Sequence, residues 1–137
     1  MKLDPSAFLA DPELLKALDK QATTLACGED RVLFRQGDPP LRLYILKKGA
    51  VTLSMTSATG KEVLALQAAP GSLLGLPGLI GNEPYSLTAV ARGGAVLSSL
   101  SRDEFTALMQ ADPFLSLKVL QVLAAEVRSA RNAILQR

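Results

Sequence analysis

The sequence predicts a mainly β fold: an antiparallel β-roll of double-stranded β-helix (jelly-roll) type, with short N-terminal helices and one long C-terminal helix. Three observations carry that expectation. Short apolar runs recur between about residues 21 and 102, each closed by a turn rich in Gly, Pro, Asn or Asp. Helical spacing with good capping residues brackets that stretch on both sides. The chain has 137 residues and is 48% apolar, enough to bury one core without staples. We therefore expect one domain over 1–137, with the roll at about 21–102 and the long helix at about 112–136.

The elements follow in order. Residues 3–20 are short helical material. Asp11 is a good N-cap with Pro12 at the first helical position, and Leu14, Leu15 and Leu18 follow at helical spacing. Candidate strands are Thr23–Ala26, Arg31–Arg35, Leu41–Lys47, Ala50–Met55, Glu62–Ala68, Ser72–Leu74, Leu87–Ala91 and Ala95–Ser101. Within the third, Leu41, Leu43 and Ile45 alternate with Arg42 and Tyr44, the period of a strand with one buried face. Lys48-Gly49 then breaks the run, and the local pattern reads as a β-hairpin with Gly at its corner. A short helix is expected over Arg102–Gln110, with Ser101 and Glu104 spaced as a capping box.

Asp112-Pro113 opens the long helix. Leu120, Leu123, Val127, Ala130 and Ile134 recur along it in steps of three and four, the seam of a two-stranded coiled coil. Glu126, Arg128, Arg131 and Arg137 decorate the flanks. A second stripe, Leu115, Val119 and Val122, lies beside the seam. One stripe can pack on the roll while the other meets a second copy, giving a homodimer. Burial of both stripes against the same domain is the alternative.

Composition excludes several classes. There is no histidine, which removes the commonest general base, a Ser-His triad and most zinc and haem sites. No pair of acids has a spacing that suggests acid–base catalysis. Asp103, Glu104 and Asp112 are explained as helix-start residues. Gly71, Gly75, Gly78 and Gly81 do not end in the GK[ST] of a phosphate loop. The single Cys27 excludes an internal disulfide and reads as a small core residue, suited to a reducing cytoplasm. The net charge of +2 leaves no basic footprint for nucleic acid. The N-terminus, broken by Pro5 and Pro12, is not a signal peptide, and no uncharged apolar run reaches membrane-spanning length. No enzyme, metal or cofactor is expected.

Two segments carry a resemblance. Gln36–Val51, QGDPPLRLYILKKGAV, holds Gly37-Asp38, then Leu43-Tyr44 with Leu46, then Gly49 with Val51. In this it resembles the cyclic-nucleotide-binding domain family. Gly71–Ala91, GSLLGLPGLIGNEPYSLTAVA, resembles that family's phosphate-binding cassette. There the resemblance implies a short helix whose N–H groups, with an Arg and a Ser or Thr, hold a cyclic phosphate, while a Glu holds the ribose. In this chain the Glu position is Leu76 and the Arg position is Tyr85; Ser86 alone keeps its type. The adenine-contacting hydroxyl pair would fall on Ala130 and Arg131. Removing the charged partner of a buried ion costs about 3–5 kcal/mol, roughly a hundred- to a few-thousand-fold in affinity. Tight binding of cyclic AMP is not expected.

Two readings of the altered cassette stay open. One is a pocket retuned for a less polar effector, lined by Leu66, Leu74, Gly75, Leu76, Pro77, Leu79, Tyr85 and Ser86. The other is a cavity filled by its own side chains, which leaves a ligand-free dimerisation and interaction domain. A third possibility is cyclic-nucleotide binding through Arg92 or Arg131. The run VLQVLAAEVRSARNAIL resembles the dimerisation helix of Crp/Fnr-type transcription regulators, where a DNA-binding helix-turn-helix follows. None follows in this sequence. The resemblance therefore implies a sensor module that dimerises and takes a small-molecule effector without touching DNA. Whether it stands alone or comes from a longer regulator stays open.

Overall fold

The computed structural model describes residues 3–135. Its strands form two four-stranded antiparallel sheets. The first holds β1 (Thr23–Ala26), β8 (Val96–Ser101), β3 (Arg42–Lys48) and β6 (Leu73–Leu74), in that order. The second holds β2 (Arg31–Phe34), β7 (Thr88–Ala91), β4 (Val51–Thr56) and β5 (Glu62–Ala68). Every pairing is antiparallel, and the chain crosses repeatedly from one sheet to the other. This is the jelly-roll arrangement, which leaves few long free edges.

The inward faces build the core. Leu43, Ile45 and Leu46 of β3, Leu53 of β4, Leu73 and Leu74 of β6, and Leu97 and Leu100 of β8 are fully buried. Cys27 is buried with its N–H bonded to the Ala95 carbonyl, so its thiol packs as a small apolar group.

Two local expectations need correction. Lys48-Gly49 does not close a hairpin, because β3 and β4 lie in different sheets. Gly49 turns a corner between them at φ +83°, and a Cβ there would meet the Ala95 Cα at 2.9 Å. The true hairpin joins β4 to β5, where the Ser57 N–H donates to the Lys61 carbonyl. Leu41 also falls outside its expected strand. It is 66% exposed, and its carbonyl accepts from the Arg102 N–H ahead of β3.

Helices flank the roll where capping chemistry predicts. Helix α1 (Pro12–Asp19) starts at Asp11, whose side chain accepts from the Leu14 N–H, and buries Leu14 and Leu18. Helix α2 (Leu76–Gly81) is a short turn entered through Gly75 in the left-handed region, φ +93°. Helix α3 (Arg102–Ala111) carries the full capping box of Ser101 and Glu104. Helix α4 (Pro113–Leu135) buries Leu115, Val119, Val122, Ser129 and Ala133. The expected end of this helix at Gln136 lies outside the described residues. A 3₁₀ turn over Pro5–Phe8 packs beside α4, and the Asp4 N–H donates to Ser129 Oγ at 2.7 Å. Lys118 of α4 also lies 2.7 Å from Asp11, which ties the long helix to the start of α1.

Candidate effector pocket

The Gly75–Leu87 segment folds back under α4 because its punctuation forbids a longer helix. Gly75 enters α2 at positive φ, and Asn82 leaves it at φ +52°, a conformation that Asn tolerates. Between this segment, the inner face of β2 and β4, and α4 lies a cavity of about 230 Å³. The roll supplies Phe34, Leu53 and Met55; the cassette-like segment supplies Leu74, Gly75, Pro77, Gly78, Tyr85, Ser86 and Leu87. The N-terminal segment adds Leu3 and Phe8, and α4 closes one side with Leu123, Glu126, Val127 and Ala130.

Leu74, Gly75, Pro77, Tyr85 and Ser86, all predicted from sequence, come together in this wall. Leu76, Leu79 and Leu66 do not line it. Leu76, the first residue of α2, is fully buried. Leu79 turns to a separate groove shared with α3 and α4, lined also by Phe105 and Met109. Leu66 sits opposite Leu53 in the sheet and packs, half-buried, against the core. The core and the groove beside α3 and α4 thus take leucines that the sequence assigns to one pocket.

Tyr85 occupies the position where the resemblance implies arginine, and its role is structural. The ring stacks on Phe34 with centroids 3.9 Å apart and planes at 16°. The hydroxyl donates to the Arg42 carbonyl at 2.6 Å and accepts from the Arg42 N–H at 2.9 Å. Strand β6 pairs only with Tyr44 and Ile45, so this hydroxyl serves Arg42 as the next strand residue would. Burial pushes the phenol above its ordinary value, and it stays neutral. The neighbouring Gly75 leaves room for the ring: a Cβ there would meet Tyr85 Cε1 at 2.8 Å. Pro77 removes one N–H donor from the first turn of α2.

Among the lining residues there is no lysine or arginine. Arg92 is engaged elsewhere, with Nη1 on Asp30 and Nε on Thr52, both at 2.9 Å. Arg131 is exposed and outside the cavity wall. Glu126 is the charged residue that does enter. Its Oε1 is buried without a hydrogen-bond partner among the described residues. Burial alone pushes the carboxyl up to about 8.

The sequence reading sets Glu126 on the flank of the seam. The signal that locates it was available: Leu115, Val119, Val122, Ser129 and Ala133 are the buried stripe, and 126 is the missing member of that spacing. Of the predicted seam, Leu120, Val127 and Ile134 are 51%, 51% and 55% exposed, whereas Leu123 and Ala130 are partly buried at the cavity rim.

Residues 24–112 match the model of the cyclic nucleotide-binding domain. The chain is 26% identical over 122 residues to the CRP-like cAMP-activated global transcriptional regulator of Mycobacterium tuberculosis, covering 89% of this chain and 54% of that protein. It is 30% identical over 102 residues to the cyclic AMP receptor protein of Thermus thermophilus, covering 74% and 47%. The crystal structure of the Thermus thermophilus catabolite activator protein superposes with a TM-score of 0.78 at 26% identity, over 96% of this chain and 62% of that one. The chain thus spans about half the length of the curated relatives it matches. Family match, β-roll and cassette position agree: the chain belongs to the cyclic nucleotide-binding domain family, with Crp/Fnr-type transcription regulators among its relatives.

Proposed function

We propose that this chain is a non-catalytic effector-sensing module in which cyclic-nucleotide recognition is lost and the pocket is retuned for a less polar ligand. The observation that carries this reading is the wall of the cavity. It is mostly apolar, it holds an acid, and among the described residues that line it none is a cation. A cyclic phosphate placed there would lack its counter-charge and face a carboxyl. The relatives named above for cyclic AMP describe those proteins; here the residues that would hold the phosphate and ribose are Tyr85 and Leu76.

The module works as a homodimer through α4. Support comes from the exposed apolar stripe Leu120, Val127 and Ile134, beside a cavity whose rim includes Leu123, Val127 and Ala130. The same helix therefore meets both the effector and the second copy. A ligand that favours one position of α4 shifts the dimer by its differential affinity.

A thermal-shift titration against cyclic AMP, cyclic GMP, cyclic di-GMP and a panel of apolar metabolites tests the reading. Ligand at about a hundred times its Kd adds about 2.7 kcal/mol. A shift with apolar compounds alone is expected. A shift with a cyclic nucleotide overturns the loss of recognition, and no shift with any compound overturns the pocket.

A further inference from the structure

The cavity has a chemical signature beyond being apolar. Three aromatic rings, Phe8, Phe34 and Tyr85, stand in its wall, out of four Phe and two Tyr in the whole chain. Glu126 places a carboxyl oxygen there with no partner among the described residues. Aromatic faces attract organic cations, and a buried carboxyl without a partner is costly until a donor or cation reaches it. We propose, resting on the effector-pocket reading above, that the cavity selects a small organic ammonium, whose charged head pairs with Glu126 while its apolar body fills the space beside Phe34 and Leu53.

Size agrees with this class. A cavity of about 150 Å³ holds benzene, so about 230 Å³ takes a ring with a short arm. The electrostatics agree as well. Among the described residues, the remaining walls carry one other ionisable group, the neutral Tyr85 phenol, whose hydroxyl is already engaged by Arg42. On α4 itself, Arg128 and Arg131 are exposed, and neither bonds Glu126. With burial holding the Glu126 proton near neutral pH, an incoming ammonium displaces that proton to solvent. The complex then holds one ammonium and one carboxylate, and one proton has left.

The test uses three matched probes on the intact chain: 2-phenylethylamine, 2-phenylethanol and 3-phenylpropanoate. Calorimetry in two buffers of different ionisation enthalpy counts the protons released. The amine is expected to bind at least about tenfold tighter than the alcohol, and the propanoate not at all. Its affinity should rise about tenfold between about pH 6 and about pH 7 with close to one proton released. Glu126→Gln should reduce the amine to the level of the alcohol. Equal binding of amine and alcohol, or amine binding unchanged in Glu126→Gln, overturns the ammonium assignment while leaving the pocket. Preferred binding of the propanoate does the same. No binding by any probe removes the pocket reading and this inference together. A Glu126→Gln variant that loses its dimer but keeps amine binding would assign the carboxyl to a cation of the second copy. If the variant does not fold, proton counting on the wild type still decides, and a count near zero overturns the proposal.

Discussion

Replacing Tyr85 by Phe isolates what its hydroxyl does. The ring and its 3.9 Å stack on Phe34 are kept. The bonds to the Arg42 carbonyl and N–H, at 2.6 and 2.9 Å, are lost. Those main-chain groups stand beyond the reach of β6, which pairs only with Tyr44 and Ile45. Each lost bond nets about 1 kcal/mol, and an unpaired buried group costs about 1–3. Arg42 is only half-buried, so water restores part of the loss. The expected total is about 2 kcal/mol, or a fall of roughly 8 °C in Tm. Urea denaturation is the assay, and the midpoint should move at constant m. A change below about 0.5 kcal/mol, within the range of ordinary surface substitutions, would refute the claim that this hydroxyl replaces a strand neighbour. Tyr85→Arg sharpens the argument, since it installs the residue that the family resemblance implies. Arginine there gives up the ring stack on Phe34 and both bonds to Arg42, so the variant should be less stable than the wild type by about 2 kcal/mol or more. It should confer no cyclic AMP binding while Leu76 remains. A stable Tyr85→Arg variant that binds cyclic AMP would sink the structural assignment of Tyr85.

Four further outcomes follow from the same geometry. Glu126 is raised from 4.5 to about 8 by burial, so the folded state holds its proton more tightly than the unfolded state. Stability should therefore fall as pH rises from about 4.5 to about 8 and flatten above, and Glu126→Gln should remove most of that slope in a series of thermal melts. Val127→Glu places a charge in the middle of the exposed stripe of α4 and should give monomer by sedimentation velocity; a wild type already monomeric counts against the dimer. Gly75→Ala should cost about 2–3 kcal/mol, because φ is +93° and the new Cβ meets Tyr85. Gly60→Ala, at φ +84° with open space around it, should cost only about 1 kcal/mol by the same denaturation.

The elements were legible where local physics decides them. All eight candidate strand segments hold a strand, because apolar alternation and Gly or Pro punctuation act within a few residues. Asp11 and Ser101 cap their helices for the same reason. The Lys48-Gly49 corner was misread as a hairpin because a turn's residues do not state which sheet receives the next strand. That choice belongs to the packing of both sheets. Leu76 and Leu79 fall elsewhere because the spacing of a short helix does not state which neighbours it packs against. Tyr85 lines the cavity, but its bond to Arg42 spans 43 residues and leaves no trace in local pattern.

Glu126 is the instructive case. A charge on a helix is ordinarily a solvated flank, and that prior hid a gap in the buried stripe of α4. The stripe runs Leu115, Val119, Val122, then Ser129 and Ala133, and an apolar residue at 126 would complete it. Burial without a partner disfavours the ionised carboxyl and gains no packing in return. Leucine at that position would remove the unsatisfied carboxyl, so stability gives no reason for an acid. Rules of local consistency are most often broken where a site needs them broken. The acid stands in the wall of the cavity, on the helix whose adjoining face carries the exposed seam. A ligand that satisfies Glu126 would act on both at once, which is the coupling that a sensor built on this fold requires.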